Sequence, residues 1–136
     1  MNSLIDTGFL LAVLDKNDHR HFVCVNALES EFSPLLPEVV LPELAYLVIR
    51  ALGYRVWISF LRSVSNGELS IISVETQDLT RSAEILEKYQ DSKIDFVDSI
   101  IMAIAERLVI KRILTVDRRD FGLFRPQHCE AFEIIP

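Results

Sequence analysis

Short apolar runs alternate along this chain with longer stretches of helical periodicity, and that alternation sharply limits the folds open to it. Asn2 to Ile5 reads as a short buried strand, and Leu69 to Val74, Ile113 to Val116 and Ala131 to Ile135 read as three more. Phe9 to Leu14 has helical spacing, and a second helix carries Phe22, Val25 and Leu28 on one face with Asp18 as its N-cap. Pro34 and Pro37 break the chain before Val39 and Val40, which form a brief strand or the approach to a helix. Pro42 suits the first turn of that helix, which runs from Leu41 to Leu52 and ends at Gly53. It is apolar nearly all round, as expected of a helix with core on one side and a partner or second subunit on the other.

Trp57, Phe60, Leu61 and Val64 mark a further helix, stopped by the Asn66–Gly67 turn signal. Leu79, Ala83, Leu86 and Tyr89 share one helical face, and Asp95 to Leu108 is a strongly apolar helix. Strands alternating with helices in this way imply βαβ units. The fold class expected is α/β, a three-layer sandwich with a central, mainly parallel sheet of about five short strands flanked by helices. At 136 residues, with no repeat, low-complexity tract or Gly/Ser linker, residues 1–136 are expected to form one domain.

Charge distribution says more than its sum. The formal charge is −6, which ordinarily disfavours a nucleic-acid binder. Residues 106–125, however, carry six basic side chains against Glu106, Asp117 and Asp120, so this segment is +3 and the rest of the chain −9. Such a stretch is a solvated face or a contact for a phosphate backbone. Cys24 and Cys129 are too few for a disulfide framework and read as small apolar residues in a reducing compartment. The N-terminus lacks the basic region of a signal peptide, and no run approaches the roughly 20 apolar residues of a membrane span. A cytoplasmic location follows as the expectation.

Carboxylates recur where open α/β sheets build their sites, just beyond the carboxyl ends of strands. One strand delivers Asp6 and Thr7, and another delivers Thr115 and then Asp117. Asp95 and Asp98 are three apart at the start of an apolar helix and share a face, while Glu43 lies in the first turn of its own helix. Each acid alone has a structural explanation as a cap or as a favourable charge at a helix N-terminus. Together they converge on one sheet edge, and Asp6 and Asp98 sit in apolar sequence, where clustered carboxylates call for a cation. Oxygen donors without a His/Cys set suit Mg²⁺ or Mn²⁺ rather than zinc.

The Ile5-Asp6-Thr7 opening, the Pro42-Glu43-Leu44 helix start, the Asp95-Phe96-Val97-Asp98 helix with Ala103 and Ala105, and the closing Thr115-Val116-Asp117-Arg118-Arg119-Asp120-Phe121 follow one another in order. In this the chain resembles the PIN-domain family, in particular its VapC-type toxin nucleases, over essentially its whole length. The resemblance implies an endoribonuclease that hydrolyses RNA phosphodiester bonds at an Mg²⁺ or Mn²⁺ site. It carries the catalytic, metal-holding acids onto Asp6, Glu43, Asp98 and Asp117, with no departure at those positions. Asp95, Thr7 and Thr115 become accessory residues, and Arg118 and Arg119 candidate contacts to the RNA backbone. It further implies a homodimer and a small antitoxin partner, as the toxin of a type II toxin–antitoxin pair.

Two alternatives stay within the same resemblance: a housekeeping RNA-processing nuclease, and a domain that has lost catalysis and only binds RNA or protein. A third does not. Asp6-Thr7-Gly8 matches the short signature of aspartic proteases, but those resemble glycine-rich all-β barrels, and this chain has four glycines and mostly helical periodicity. His19 and His21, two apart, do not face each other on a helix and make no metal pair. Trp57 and Phe60 read as core rather than as a base-stacking platform.

Overall fold

The computed structural model describes residues 1–136. In chain order its elements are β1 (Asn2–Ile5), α1 (Thr7–Leu14), α2 (His21–Ser30), β2 (Ser33–Pro37), α3 (Val40–Leu52), α4 (Tyr54–Ser65) and β3 (Ser70–Ile72). There follow α5 (Thr76–Lys88), a 3-10 turn at Gln90–Ser92, α6 (Phe96–Leu108), β4 (Arg112–Leu114), α7 (Arg118–Leu123) and β5 (Glu133–Ile135). The five strands form one all-parallel sheet in the order β3-β2-β1-β4-β5. From β1 the chain moves outward to β2 and β3, then crosses back to add β4 and β5 on the other side. The order therefore reverses between β1 and β4, and a crevice opens there at the carboxyl ends of both strands.

Helices α1 to α4 pack on one another, as do α5 to α7. With right-handed crossovers the two groups cover opposite faces of the sheet. Strands buried on both faces read as unbroken apolar runs, and Leu4, Ile5, Leu36, Ile113 and Leu114 are fully buried accordingly. Helix α6 is the most enclosed: every residue from Asp98 to Ala105 is buried, which explains its apolar sequence on all sides.

Several boundaries differ from expectation, each for a physical reason. The second strand is Ser33–Pro37, and Val39 and Val40 belong to the start of α3. Its prolines occupy the second and last positions, leaving Leu35 and Leu36 to pair in the interior. Asp18 lies before the N-cap of α2, which is Arg20; its carboxylate instead accepts the Arg20 N–H (2.7 Å) and guanidinium. Helix α3 is amphipathic rather than apolar all round: Val40, Leu44 and Val48 are buried, and Tyr46 and Arg50 are exposed. It ends at Gly53, whose φ of 92° and ψ of 171° are closed to other residues and turn the chain straight into α4. Helix α7, six residues long, was too short to show a period.

The basic segment is partly structural. Arg107 binds Asp78 (3.0 Å), whose side chain is almost fully buried, and Arg112 clamps Glu31 (2.7 Å) and Glu133 (2.6 Å). Arg81 and Glu106 (2.6 Å) form a second tie between α5 and α6.

At the end of α6, Val109 adopts the left-handed conformation (φ 57°, ψ 45°) with two-thirds of its surface exposed. A β-branched residue there is strained and packs little. Val109→Gly is expected to stabilise the protein by about 1 kcal/mol. A raised urea midpoint checks this, and an unchanged or lowered one contradicts it.

Candidate metal centre

Strands β1 and β4 are neighbours, with Ile5 in register with Leu114, so the residues following them emerge side by side. Asp6 caps α1, taking the Thr7 N–H on Oδ1 (2.6 Å). The Thr115 hydroxyl donates to its other oxygen (2.8 Å) and accepts the Asp117 N–H (2.9 Å). One hydroxyl thus ties the acids after the two strands together. Asp117 itself caps α7 by accepting the Arg119 N–H (2.9 Å).

The opposing layer brings Asp98. Asp95 caps α6 through the Val97 N–H (3.1 Å), and Asp98 follows in the first turn, buried. Glu43 sits half-buried in the first turn of α3. The centre therefore lies where four helices, α1, α3, α6 and α7, present their positive ends. The capping explanations are correct for Asp6, Asp95 and Asp117, and these residues serve the cluster as well. Thr7 is buried with a hydroxyl that has no hydrogen-bond partner.

Asp120 was not among the residues singled out from sequence. It is buried in the first turn of α7, and single carboxylate oxygens of Asp98, Asp117 and Asp120 lie within 4.8 Å of one another. Asp6 and Glu43 are outside that tight trio; the Asp6 charge acts on Asp98 within it, and the Glu43 charge acts on Asp6. The signal for Asp120 was the Asp-x-x-Asp spacing from Asp117, which places both on one face but is also the spacing of an ordinary helix start. Asp95 is exposed and marginal. Arg118 reaches the carbonyl of Pro136, and Arg119 reaches Asp120 and the carbonyl of Ser92.

Electrostatically the centre is strained without a cation. Burial raises the Asp6 carboxyl to about 6, against the opposing pull of the Thr115 hydroxyl and the Thr7 N–H, and the charges of Asp117 and Glu43 add to the rise. Asp98 is pushed up to about 10, first by burial, then by the Asp6 charge and by its hydrogen bond with Asp120. A buried oxygen-only donor set of this kind, with Arg119 as the one basic side chain bonded to it, fits a divalent metal ion.

The comparisons with known proteins agree with this geometry. Residues 3–124 match the PIN domain. The chain is 31% identical to Ribonuclease VapC26 of Mycobacterium tuberculosis over 134 residues, covering 98% of this chain and 99% of that protein. Among solved structures, it resembles VapC20 of Mycobacterium tuberculosis, a sarcin-ricin loop cleaving toxin (TM-score 0.76, 20% identity, 82% of this chain and 86% of that one). It also resembles a chain in the VapBC2 structure from Rickettsia felis, bound to a DNA fragment from the promoter (TM-score 0.73, 16% identity, all of both chains). This protein belongs to the PIN-domain family. Within that family it is of the VapC type.

No helix is long and apolar enough to cross a membrane. The histidines take no part in the centre: His21 Nδ1 is bonded to the Ala12 carbonyl (2.9 Å) and His128 Nε2 to that of Ile110 (2.7 Å). Phe60 is buried and stacks with Trp57, as expected of core.

Proposed function

We propose that this protein is a metal-dependent endoribonuclease that hydrolyses RNA phosphodiester bonds, and that it is the toxin of a type II toxin–antitoxin pair acting in the cytoplasm. The observation that carries the reading is the carboxylate trio at the β1/β4 crevice, with Asp98 and Asp120 buried and Asp117 half-buried, flanked by Asp6 and Glu43 and short of positive charge. Asp6, Asp98, Asp117 and Glu43 would hold the ion, and the hard oxygen set favours Mg²⁺ or Mn²⁺. When bound, such an ion activates water for attack on phosphorus and offsets charge on the phosphate and leaving oxygen.

The chain's own contribution is placement. Thr115 and the Thr7 N–H fix both oxygens of Asp6, so its carboxylate cannot swing when substrate enters. Asp117 is fixed in turn by its cap to Arg119 N–H. Glu43, with no such restraint, faces the site from α3 and is suited to orient the attacking water. Arg118 and Arg119 can meet the RNA backbone only by leaving the internal acceptors that they now hold.

An antitoxin partner is supported by an apolar groove of about 460 Å³ between α1, α2 and α4, lined by Leu10, Val13, Leu14, Leu28, Phe60 and Leu69. Exposed Phe22 and Phe32, near either end of α2, add apolar surface that folding leaves in water. A homodimer belongs to the same reading. The deciding assay is RNA cleavage by purified protein with Mn²⁺ or Mg²⁺ and with excess EDTA. Cleavage confined to the metal arms supports the reading, and equal cleavage in EDTA, or none with either ion, overturns it.

A further inference from the structure

The acid cluster has one built-in cation. Arg119 lies beside Asp117, and its guanidinium spans two elements, donating through Nη1 to Asp120 Oδ1 and through Nη2 to the carbonyl of Ser92. Ser92 closes the 3-10 turn between α5 and α6, and the Asp95 N–H a few residues on leans on the other Asp120 oxygen (3.4 Å). The guanidinium side chain is itself 62% exposed, so it covers the cluster from the solvent side and can leave without unpacking the core. Outside the cluster the strongly buried carboxylates Asp78 and Glu31 take their arginines, Arg107 and Arg112, from distant parts of the chain and largely enclosed, as befits permanent ties. Arg119 is exposed, comes from the residue adjacent to its partner, and is anchored at its far end only by a carbonyl.

We propose that Arg119 is an internal counter-ion latch: it neutralises Asp120 and pins the 90–95 turn when the centre is empty, and is displaced when a divalent cation takes Asp120 as a further ligand. The proposal rests on the metal-dependent reading above and adds both a fifth cluster acid and a moving part. Binding two positive groups to one buried carboxylate is costly, since each repels the other at close range. The ion, with more donors and twice the charge, prevails. Release of the guanidinium frees the Ser92 carbonyl and lends the rim a positive charge facing incoming phosphate.

Two measurements on the whole chain test this. Mn²⁺ affinity by calorimetry is expected to rise about threefold to fivefold in Arg119→Gln, because the ion no longer competes with an exposed pair of that strength. Amide hydrogen exchange at residues 92–95 is expected to quicken when Mn²⁺ is added to the wild type, and to be quick already in metal-free Arg119→Gln. Affinity that is unchanged or lower in Arg119→Gln, or exchange at 92–95 that ignores Mn²⁺, overturns the latch while leaving the nuclease reading intact. Absence of Mn²⁺ binding by the wild type removes both.

Discussion

Asp98→Asn is expected to abolish RNA cleavage and, at the same time, to make the metal-free protein more stable at neutral pH. The two effects have one origin. Asp98 is buried in the first turn of α6 among the charges of Asp6, Asp120 and Asp95, and its carboxyl is held far above the ordinary carboxylate range. Asparagine keeps the shape, donates to Asp120 as the protonated carboxyl does, and is neutral without taking up a proton on folding, so the cost of holding this group protonated at neutral pH disappears. One pKa unit corresponds to about 1.4 kcal/mol, so relief of even part of this shift is worth on the order of 2 kcal/mol. At this chain length that is roughly 5–8 °C in Tm. The same change removes an anionic ligand, and losses of about a thousandfold in turnover are ordinary for groups acting on the reacting charge. Differential scanning calorimetry and a Mn²⁺-supported cleavage assay read the pair. A variant that cleaves as well as wild type, or one that is less stable without metal, contradicts the role given to Asp98.

The second large effect is a pH dependence that a divalent ion should reverse. Asp6 and Asp98 both have folded values above the ordinary value of 3.8, at about 6 and about 10. The folded state therefore binds protons more tightly than the unfolded chain. The stability these groups contribute is complete below about pH 4 and is lost as pH rises, first through the Asp6 value and then onward toward that of Asp98. Metal-free protein should accordingly lose stability between pH 5 and pH 8, where many proteins are near their maximum. Saturating Mn²⁺ should flatten or invert that slope, because the ion binds the deprotonated cluster. Urea midpoints at pH 5, 6.5 and 8, with EDTA and with Mn²⁺, give the two slopes. Parallel slopes in the two series would show that the ion does not meet these carboxylates.

How much of this could be read in the sequence depended on whether a residue's neighbours announced its environment. Asp6 and Asp117 were legible because each follows a strand whose apolar residues can hardly be anything else, and two parallel strands must deliver their next residues to the same edge. Asp98 was legible because a charge inside Phe96-to-Ala105 sequence has no solvent to face. Asp120 was not. It lies among arginines in a helix of six residues, and its burial is produced by α6 and the 90–95 turn, which are distant in sequence until the fold closes. The strand Ser33–Pro37 was hidden for a different reason: proline argues against a strand locally, and only pairing with β1 and β3 makes its central leucines decisive. The basic stretch misled in the opposite direction, since Arg107 and Arg112 spend their charge on Asp78 and Glu31 inside the molecule.

The central claim is that buried, partly protonated carboxylates at the β1/β4 crevice constitute a divalent-metal site. Calorimetric titration of Mn²⁺ into the wild type at pH 7, repeated in buffers of different ionisation enthalpy, addresses it most directly, because filling such a site must expel a proton held at Asp98. The expected result is one binding event whose heat changes with the buffer by about one proton per ion, and whose buffer dependence is lost in Asp98→Asn. Absence of binding, or binding that is independent of the buffer and unaffected by Asp98→Asn, would contradict it.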